Sequence, residues 1–103
     1  MVTLDGWAAE KGITDIHIVK LDLQGHELEA LQGAEKMLRS TVKLIYTEVE
    51  FVKIYEQNCL YYEVEAYLRT FGIELFQFYD LSDGDDGRLV CGDAIFIAPE
   101  RIR

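Results

Sequence analysis

The chain has 103 residues, of which 50% are hydrophobic and 12% aromatic, so it can build one small core and is not an intrinsically disordered segment. Ten basic residues against nineteen acidic ones give a net charge of −9. Because an acidic surface repels phosphate backbones and anionic lipid, this charge argues against nucleic acid and membranes as partners.

The first half of the chain predicts a helix, a strand and a second helix. A short opening helix carries one apolar face and ends near Gly12: Leu4, Trp7 and Ala8. Residues 16–22 (IHIVKLD) are apolar and β-branched, which predicts a strand covered on both faces, as in a parallel sheet. Gly25 then permits a tight turn into a helix whose apolar residues recur at helical spacing: Leu28, Leu31, Ala34 and Leu38.

The second half predicts three strands and one more helix. Residues 42–50 (VKLIYTEVE) are the second strand, residues 73–80 (IELFQFYD) the third and residues 89–97 (LVCGDAIFI) the fourth. The helix before the third strand is closed by Gly72 and carries four apolar residues at helical spacing: Leu60, Val64, Leu68 and Phe71. Strand–helix–strand order predicts parallel pairing, but only a short loop joins the last two strands, so these form an antiparallel hairpin. We therefore expect one α/β domain over residues 1–103, with about four strands, about three helices and helices on the faces of the sheet.

Sheets of this kind bind ligands beyond the carboxyl ends of their parallel strands. That rule directs attention to residues 22–27, after the first strand, and to residues 48–55, after the second.

Four segments of the chain resemble one methyltransferase family. Residues 20–27 (KLDLQGHE), continuing through residues 31–34 (LQGA), resemble the KxDxxGxE…LxGA signature of the FkbM family. Residues 3–7 (TLDGW), 46–50 (YTEVE) and 92–96 (GDAIF) resemble further stretches of that family, in order and with credible spacing. The resemblance implies an enzyme dependent on S-adenosylmethionine that methylates oxygen on a hydroxylated small molecule or sugar.

The same resemblance implies that only half of the catalytic domain is present. Methyltransferases of this class I, Rossmann-like fold hold the cofactor in a glycine-rich loop, but the eight glycines here include no GxG pair. The four strands correspond to the fourth to seventh of the family's sheet, with the last one antiparallel and inserted between the two before it. We assign no cofactor-binding residue and expect no methyl transfer from these 103 residues alone. The chain is then either a fragment of a longer enzyme or a short gene product that has lost catalysis.

Asp22 and Glu27 are the candidate catalytic residues after the first strand. Asp22 is placed to orient or deprotonate the acceptor hydroxyl, although its carboxylate would also suit the N–H groups of a turn. Glu27 lies in the first turn of its helix, where the helix dipole alone could explain a negative charge. His26 is a weaker substrate-binding candidate, because alanine and tyrosine are also familiar at the matching family position.

Glu48 is the candidate catalytic residue on the second strand, and Glu50 is a substrate-binding candidate. They lie two residues apart, so both point to one face of the sheet. Glu48 is expected to bind the substrate or to adjoin Asp22, while Glu50 either binds the substrate or marks a solvated strand end. If the loop after the second strand folds over the pocket, its wall is lined by three aromatic residues, Phe51, Tyr55 and Tyr61. The alternative is that these residues pack in the core.

No metal site is predicted. Residues 82–87 (SDGDDG) lack the pattern of a calcium-binding EF-hand loop, so we expect a solvated hairpin tip. The spacing of Asp22, Glu48 and Glu50 permits a divalent ion without requiring one. Cys59 and Cys91 are far apart and without metal-binding spacing, which indicates reduced thiols in the cytoplasm. The chain shows neither an apolar run of membrane-spanning length nor the layout of a signal peptide.

The first strand has a further consequence if half of the domain is missing. Residues 16–21 would form a naked hydrophobic edge, and such an edge is a template for pairing with another chain. We therefore expect a homodimer formed through this edge. The alternative function is a non-catalytic α/β module that pairs with itself or with a partner.

Overall fold

The computed structural model describes residues 3–102, which form a mixed α/β fold of four α-helices and four strands. A short 3₁₀ helix, Pro99–Arg101, follows the last strand. The other elements, in chain order, are α1 (Leu4–Lys11), β1 (Ile18–Leu21), α2 (Glu27–Gln32), α3 (Glu35–Ser40), β2 (Leu44–Glu50), α4 (Tyr61–Arg69), β3 (Glu74–Asp83) and β4 (Leu89–Ile97).

The four strands form one sheet in the order β1-β2-β4-β3. β1 pairs with β2 in parallel, and β4 runs antiparallel to both β2 and β3. The predicted parallel pair, the hairpin and the insertion of the last strand between its two predecessors are therefore confirmed. Residues 84–88 connect the hairpin, and the exposed acidic residues of this tip confirm the predicted solvated turn.

The helices cover one face of the sheet. On β2, Ile45, Thr47 and Val49 are buried and point toward the helices, because alternate residues of a strand face the same side. Their neighbours Val19 and Phe96 belong to the same core. The opposite face is open: Ile18 of β1 is 69% exposed. The predictions of a first strand covered on both faces and of helices on both faces of the sheet are therefore wrong for the described residues.

The second predicted helix is interrupted, which is a further correction. α2 ends at Gln32 and α3 begins at Glu35, because Asp5 of α1 contacts the chain at the break. The Asp5 carboxylate accepts the backbone N–H groups of Lys36 at 2.7 Å and Met37 at 3.2 Å, and its own N–H donates to the Gly33 carbonyl at 3.0 Å. These bonds give α3 its own amino-terminal cap.

The opening helix α1 follows its prediction closely. The Thr3 hydroxyl accepts the N–H of Gly6 at 3.0 Å and caps the amino terminus. Gly12 ends the helix in the left-handed conformation, with φ of 71°. Within residues 3–102, every helix is too short and too polar to cross a membrane.

Candidate functional site

Two carboxyl groups meet where β1 and β2 end. The register pairs Leu21 with Thr47, so the following residues, Asp22 and Glu48, lie side by side at the carboxyl ends of the two strands. Their side chains are within hydrogen-bonding contact of each other. The expectation that Glu48 adjoins Asp22 on the neighbouring strand is therefore confirmed.

The environment of Glu48 favours its protonated form. Burial raises the pKa of the Glu48 carboxyl, and the Asp22 carboxylate raises it further, both by its charge and by accepting a hydrogen bond. Protonation of Glu48 would remove the repulsion between the two carboxyl groups and allow Glu48 to donate a hydrogen bond to Asp22.

A third acidic residue, on β4, adjoins this pair of carboxyl groups. Asp93 is the register partner of Glu48, and its negative charge contributes to the raised pKa of Glu48. The Tyr46 hydroxyl donates to Asp93 Oδ2 at 3.0 Å, and this hydrogen bond is the main reason why the pKa of Tyr46 is raised. Lys20 Nζ lies 5.6 Å from the centroid of the Tyr46 ring. Acidic groups from β1, β2 and β4 therefore line up on the open face of the sheet.

Glu27 holds the turn that follows β1. Its side chain is 3% exposed, and its two carboxylate oxygens accept the N–H groups of Leu23 at 2.8 Å and Gly25 at 2.9 Å. The turn needs this support because Gln24 and Gly25 both have positive φ angles, of 51° and 100°. Both Glu27 oxygens thus bind the backbone of the turn that carries Asp22.

Glu50 is buried against Asn58, a residue that the sequence did not single out. Each side chain is 4% exposed, and Asn58 Nδ2 donates to both Glu50 carboxylate oxygens at 3.1 Å. The alternative that Glu50 marks a solvated strand end is therefore wrong. Asparagine in a polar loop carries no motif, and the contact of Asn58 with Gly25 is visible only in the structure.

Glu48 and Glu50 line one open cleft of about 290 Å³. Both point to the same side of β2, as predicted from their spacing. Asn58 and Glu50 are the buried part of its lining, while Tyr55, 64% exposed, and Ile54, 58% exposed, lie at its rim. Gln24 completes the lining. Tyr55 is therefore positioned beside the candidate carboxylates.

The other predicted side chains lie elsewhere. His26 is exposed at the start of α2, with Nδ1 3.7 Å from Glu29 Oε1. Phe51 is half-buried in an aromatic cluster, its ring centroid 5.4 Å from Tyr61 and 5.5 Å from Phe78. Phe51 and Tyr61 thus pack against the core, as their alternative interpretation stated. Within residues 3–102, no three acidic, histidine or cysteine side chains are grouped so as to hold a metal ion.

Comparison with known proteins identifies the family. The Methyltransferase FkbM domain matches residues 1–75. The 2-O-methyltransferase NoeI of Sinorhizobium fredii (strain NBRC 101917 / NGR234) is 36% identical over 53 residues, which are 52% of this chain and 21% of that protein. The chain thus spans about a fifth of this relative's length. No solved structure matches the chain significantly. The family match over most of the chain, with the signature residues placed around the paired carboxyl groups, shows that the chain belongs to the FkbM methyltransferase family.

Proposed function

We propose that this chain forms the acceptor side of an O-methyltransferase that uses S-adenosylmethionine, and that Asp22 and Glu48 receive the proton of the acceptor hydroxyl. The observation that carries the proposal is the contact between these two carboxyl groups at the ends of adjacent parallel strands. The acceptor is a hydroxylated small molecule or sugar. In this proposal the four strands are the last four of a Rossmann-like class I sheet. The free cysteines Cys59 and Cys91 favour the cytoplasm as its compartment.

The carboxyl pair suits the acceptor half of the chemistry. Methylation of an alcohol forms a carbon–oxygen bond at the hydroxyl, which must lose its proton. Asp22 is exposed and free to meet the acceptor, whereas Glu48 is partly buried and lines the adjoining cleft. A protonated Glu48 donates to one Asp22 oxygen and leaves the other free to accept the hydroxyl hydrogen. Because methyl transfer depends mainly on alignment, Asp22 also orients the acceptor oxygen.

The described residues do not fit the methyl donor. A turn that binds the methionine end of the donor must offer free backbone N–H groups. In the turn after β1, the N–H groups of Leu23 and Gly25 are already bound by Glu27. No two glycines in the sequence are separated by a single residue. We therefore propose that the donor is held by polypeptide other than these residues, and that these residues alone transfer no methyl group.

In this scheme Glu27 is a positioning residue. It touches the backbone at Leu23 and Gly25, and this backbone fixes where Asp22 stands at the end of β1. His26 and Glu50 remain substrate-binding candidates.

The acceptor site can be tested by NMR with a neutral alcohol, vicinal cyclohexanediol. We expect the diol to shift the amide resonances of residues 22–26 and 48–58 and to bind more weakly to Asp22→Asn. Asp15→Asn, an exposed acidic residue before β1, is the matched control and leaves binding unchanged. Shifts confined to other parts of the protein, or equal binding by Asp22→Asn, would contradict the proposal.

A second candidate function is self-association without catalysis. β1 is one of the two edge strands that the sheet has within residues 3–102, and Ile18 on it is 69% exposed. Beside it lies an apolar cleft of about 240 Å³, lined in part by Leu4, Val19 and Leu31. We propose that a second copy pairs along this edge to form a homodimer, because an unpaired strand offers free N–H and C=O groups.

Light scattering across about a hundredfold range of protein concentration tests the pairing, since dimerisation follows mass action. We expect a dimer that Ile18→Lys converts to a monomer, because a lysine on an edge strand opposes pairing. Arg88→Ala, at the exposed tip of the hairpin between β3 and β4, is the control. A monomer at every concentration would remove this candidate.

A further inference from the structure

The cleft beside the carboxyl pair holds negative charge without a cation. Glu48 and Glu50 line it, Asp22 contacts Glu48 from the adjacent strand, and none of the lining residues is basic. Carboxylates this close together repel one another, and a positive group among them would relieve that repulsion. The negative charge of the cleft therefore favours cationic ligands over neutral ones, and neutral ligands over anionic ones.

A second feature of the same cleft is a buried oxygen atom that has no hydrogen-bond donor. Asn58 lines the cleft, is 4% exposed and uses its amide nitrogen on Glu50. Its carbonyl oxygen, Oδ1, is buried and accepts no hydrogen bond from the described residues. The amide cannot be turned over to satisfy Oδ1, because Oδ1 would then face the Glu50 carboxylate. A buried acceptor without a donor destabilises a protein, so this oxygen favours a ligand that donates a hydrogen bond.

The rim of the cleft favours the same kind of ligand. Tyr55 and Ile54 are largely exposed there and offer an aromatic ring and an aliphatic side chain. An aromatic ring attracts a cation that lies over its face. Carboxylates and a carbonyl inside the cleft, with an aromatic ring at its edge, thus form a surface that accepts hydrogen bonds and attracts positive charge.

We propose that the acceptor is an alcohol that carries an ammonium group next to the reacting hydroxyl, and that Glu50 and Asn58 bind this ammonium. The inference rests on the proposed function, in which Asp22 and Glu48 serve the hydroxyl. An ammonium group has three N–H donors and no acceptor, so it suits a cleft whose lining offers carboxylates and an amide side chain with an unsatisfied oxygen. Acceptors that carry phosphate or carboxylate beside the hydroxyl are repelled.

Three six-membered-ring alcohols of matched shape test the proposal by NMR titration of the full chain. The vicinal aminocyclohexanol is cationic, the vicinal cyclohexanediol is neutral and the vicinal hydroxycyclohexane carboxylate is anionic. We expect the amino alcohol to bind about tenfold more tightly than the diol, as charge-assisted hydrogen bonds would give, and the hydroxy acid to bind most weakly. The shifted resonances should be those of residues 48–58 and of the turn after β1.

Two further measurements test whether Glu50 causes the preference for the amino alcohol over the diol. Glu50→Gln should bring the affinity for the amino alcohol down to that for the diol, while Glu56→Gln, on the exposed part of the same loop, should keep the preference. Should Glu50→Gln fail to fold, the salt dependence of the native protein decides the question. Added salt should weaken the binding of the amino alcohol and leave the binding of the diol unchanged, since screening acts only on the charged ligand.

Each other outcome overturns a stated part of the proposal. Equal binding of amino alcohol and diol at the cleft, or an affinity for the amino alcohol that ignores salt, would overturn the ammonium site and leave the proposed function standing. The absence of any ligand-induced shift at the cleft would overturn both. S-adenosylmethionine is also a cation, so displacement of the amino alcohol by it would reassign the carboxylates to the methyl donor and overturn the ammonium site.

Discussion

The side chain of Asn58 lies directly over the Cα atom of Gly25, where a Cβ would come within 2.2 Å of Asn58 Cγ. The neighbouring backbone reinforces this contact, because the N–H of Cys59 donates to the Gly25 carbonyl at 3.0 Å. The turn after β1 and the loop after β2 are thus joined at one point. Since the two segments carry Asp22 and Glu50, the contact keeps the two sides of the candidate site together.

Gly25→Ala should destabilise the protein by about 2–4 kcal/mol. The new methyl group collides with Asn58, and a φ of 100° is unfavourable for alanine. Gly12→Ala is the matched control, because Gly12 also has positive φ but has free space around its Cα, and it should lose only about 1 kcal/mol. Urea denaturation measures both. Equal losses in the two variants would show that the contact with Asn58 has no energetic weight.

Glu27→Gln should destabilise the protein by about 1–3 kcal/mol, because the amide keeps one acceptor oxygen and leaves either Leu23 or Gly25 without its partner. The exposed Glu29 on the same helix supplies the control, and Glu29→Gln should change the stability by less than about 0.5 kcal/mol. Denaturation gives the free energies, and hydrogen exchange should be faster at the amides of residues 23 and 25. Unchanged exchange at both amides would disagree with this role of Glu27.

Glu48→Gln should make the protein more stable at pH values above the folded pKa of Glu48. Because the fold raises the pKa of Glu48, this group favours folding at pH values below its unfolded pKa, and that contribution is lost as the pH rises through the folded pKa. Glutamine resembles the protonated form at every pH. The gain over the native protein should therefore appear above the folded pKa, reach up to about 1 kcal/mol and vanish in acid.

Urea denaturation at a series of pH values measures this difference. Glu10→Gln, on the exposed side of α1, should follow the native curve throughout. If Glu48→Gln were less stable than the native protein at the alkaline end of the series, the carboxyl pair would be stabilising, opposite to the sign derived from the direction of the Glu48 pKa shift.

Asp5→Ala should cost about 1–2 kcal/mol of stability, because α3 loses the acceptor of its first N–H groups. Hydrogen exchange should accelerate at the amides of Lys36 and Met37, and urea denaturation gives the free energy. Asp15→Ala, an exposed residue in the loop before β1, is the control. Normal protection at both amides in Asp5→Ala would mean that the amino terminus of α3 is held by other contacts.

The sequence predicted what depends on local spacing. The alternation of β2 placed Glu48 and Glu50 on one side, and the parallel order of β1 and β2 brought Asp22 to Glu48. The short loop between β3 and β4 required a hairpin. Each of these results follows from periodicity or chain length, which a sequence displays directly.

The features that were not predicted depend on contacts between distant residues. The break between α2 and α3 comes from Asp5, about thirty positions earlier in the chain, and helical periodicity runs through the break unaltered. Asn58 acts through Glu50 and Gly25, neither of which marks it in the sequence. The bare face at Ile18 was missed because an apolar run does not reveal how many of its sides are covered.

The position of β4 in the sheet governs the order in which the protein can be completed. Within residues 3–102 β3 pairs only with β4, and β4 leaves the ribosome after β1, β2 and β3. Until residues 89–97 have emerged, β2 and β3 have no common neighbour and each lacks the strand that joins them. A message cut short before residue 89 would therefore yield a chain in which β3 has no place in the sheet, a substrate for chaperones and proteases.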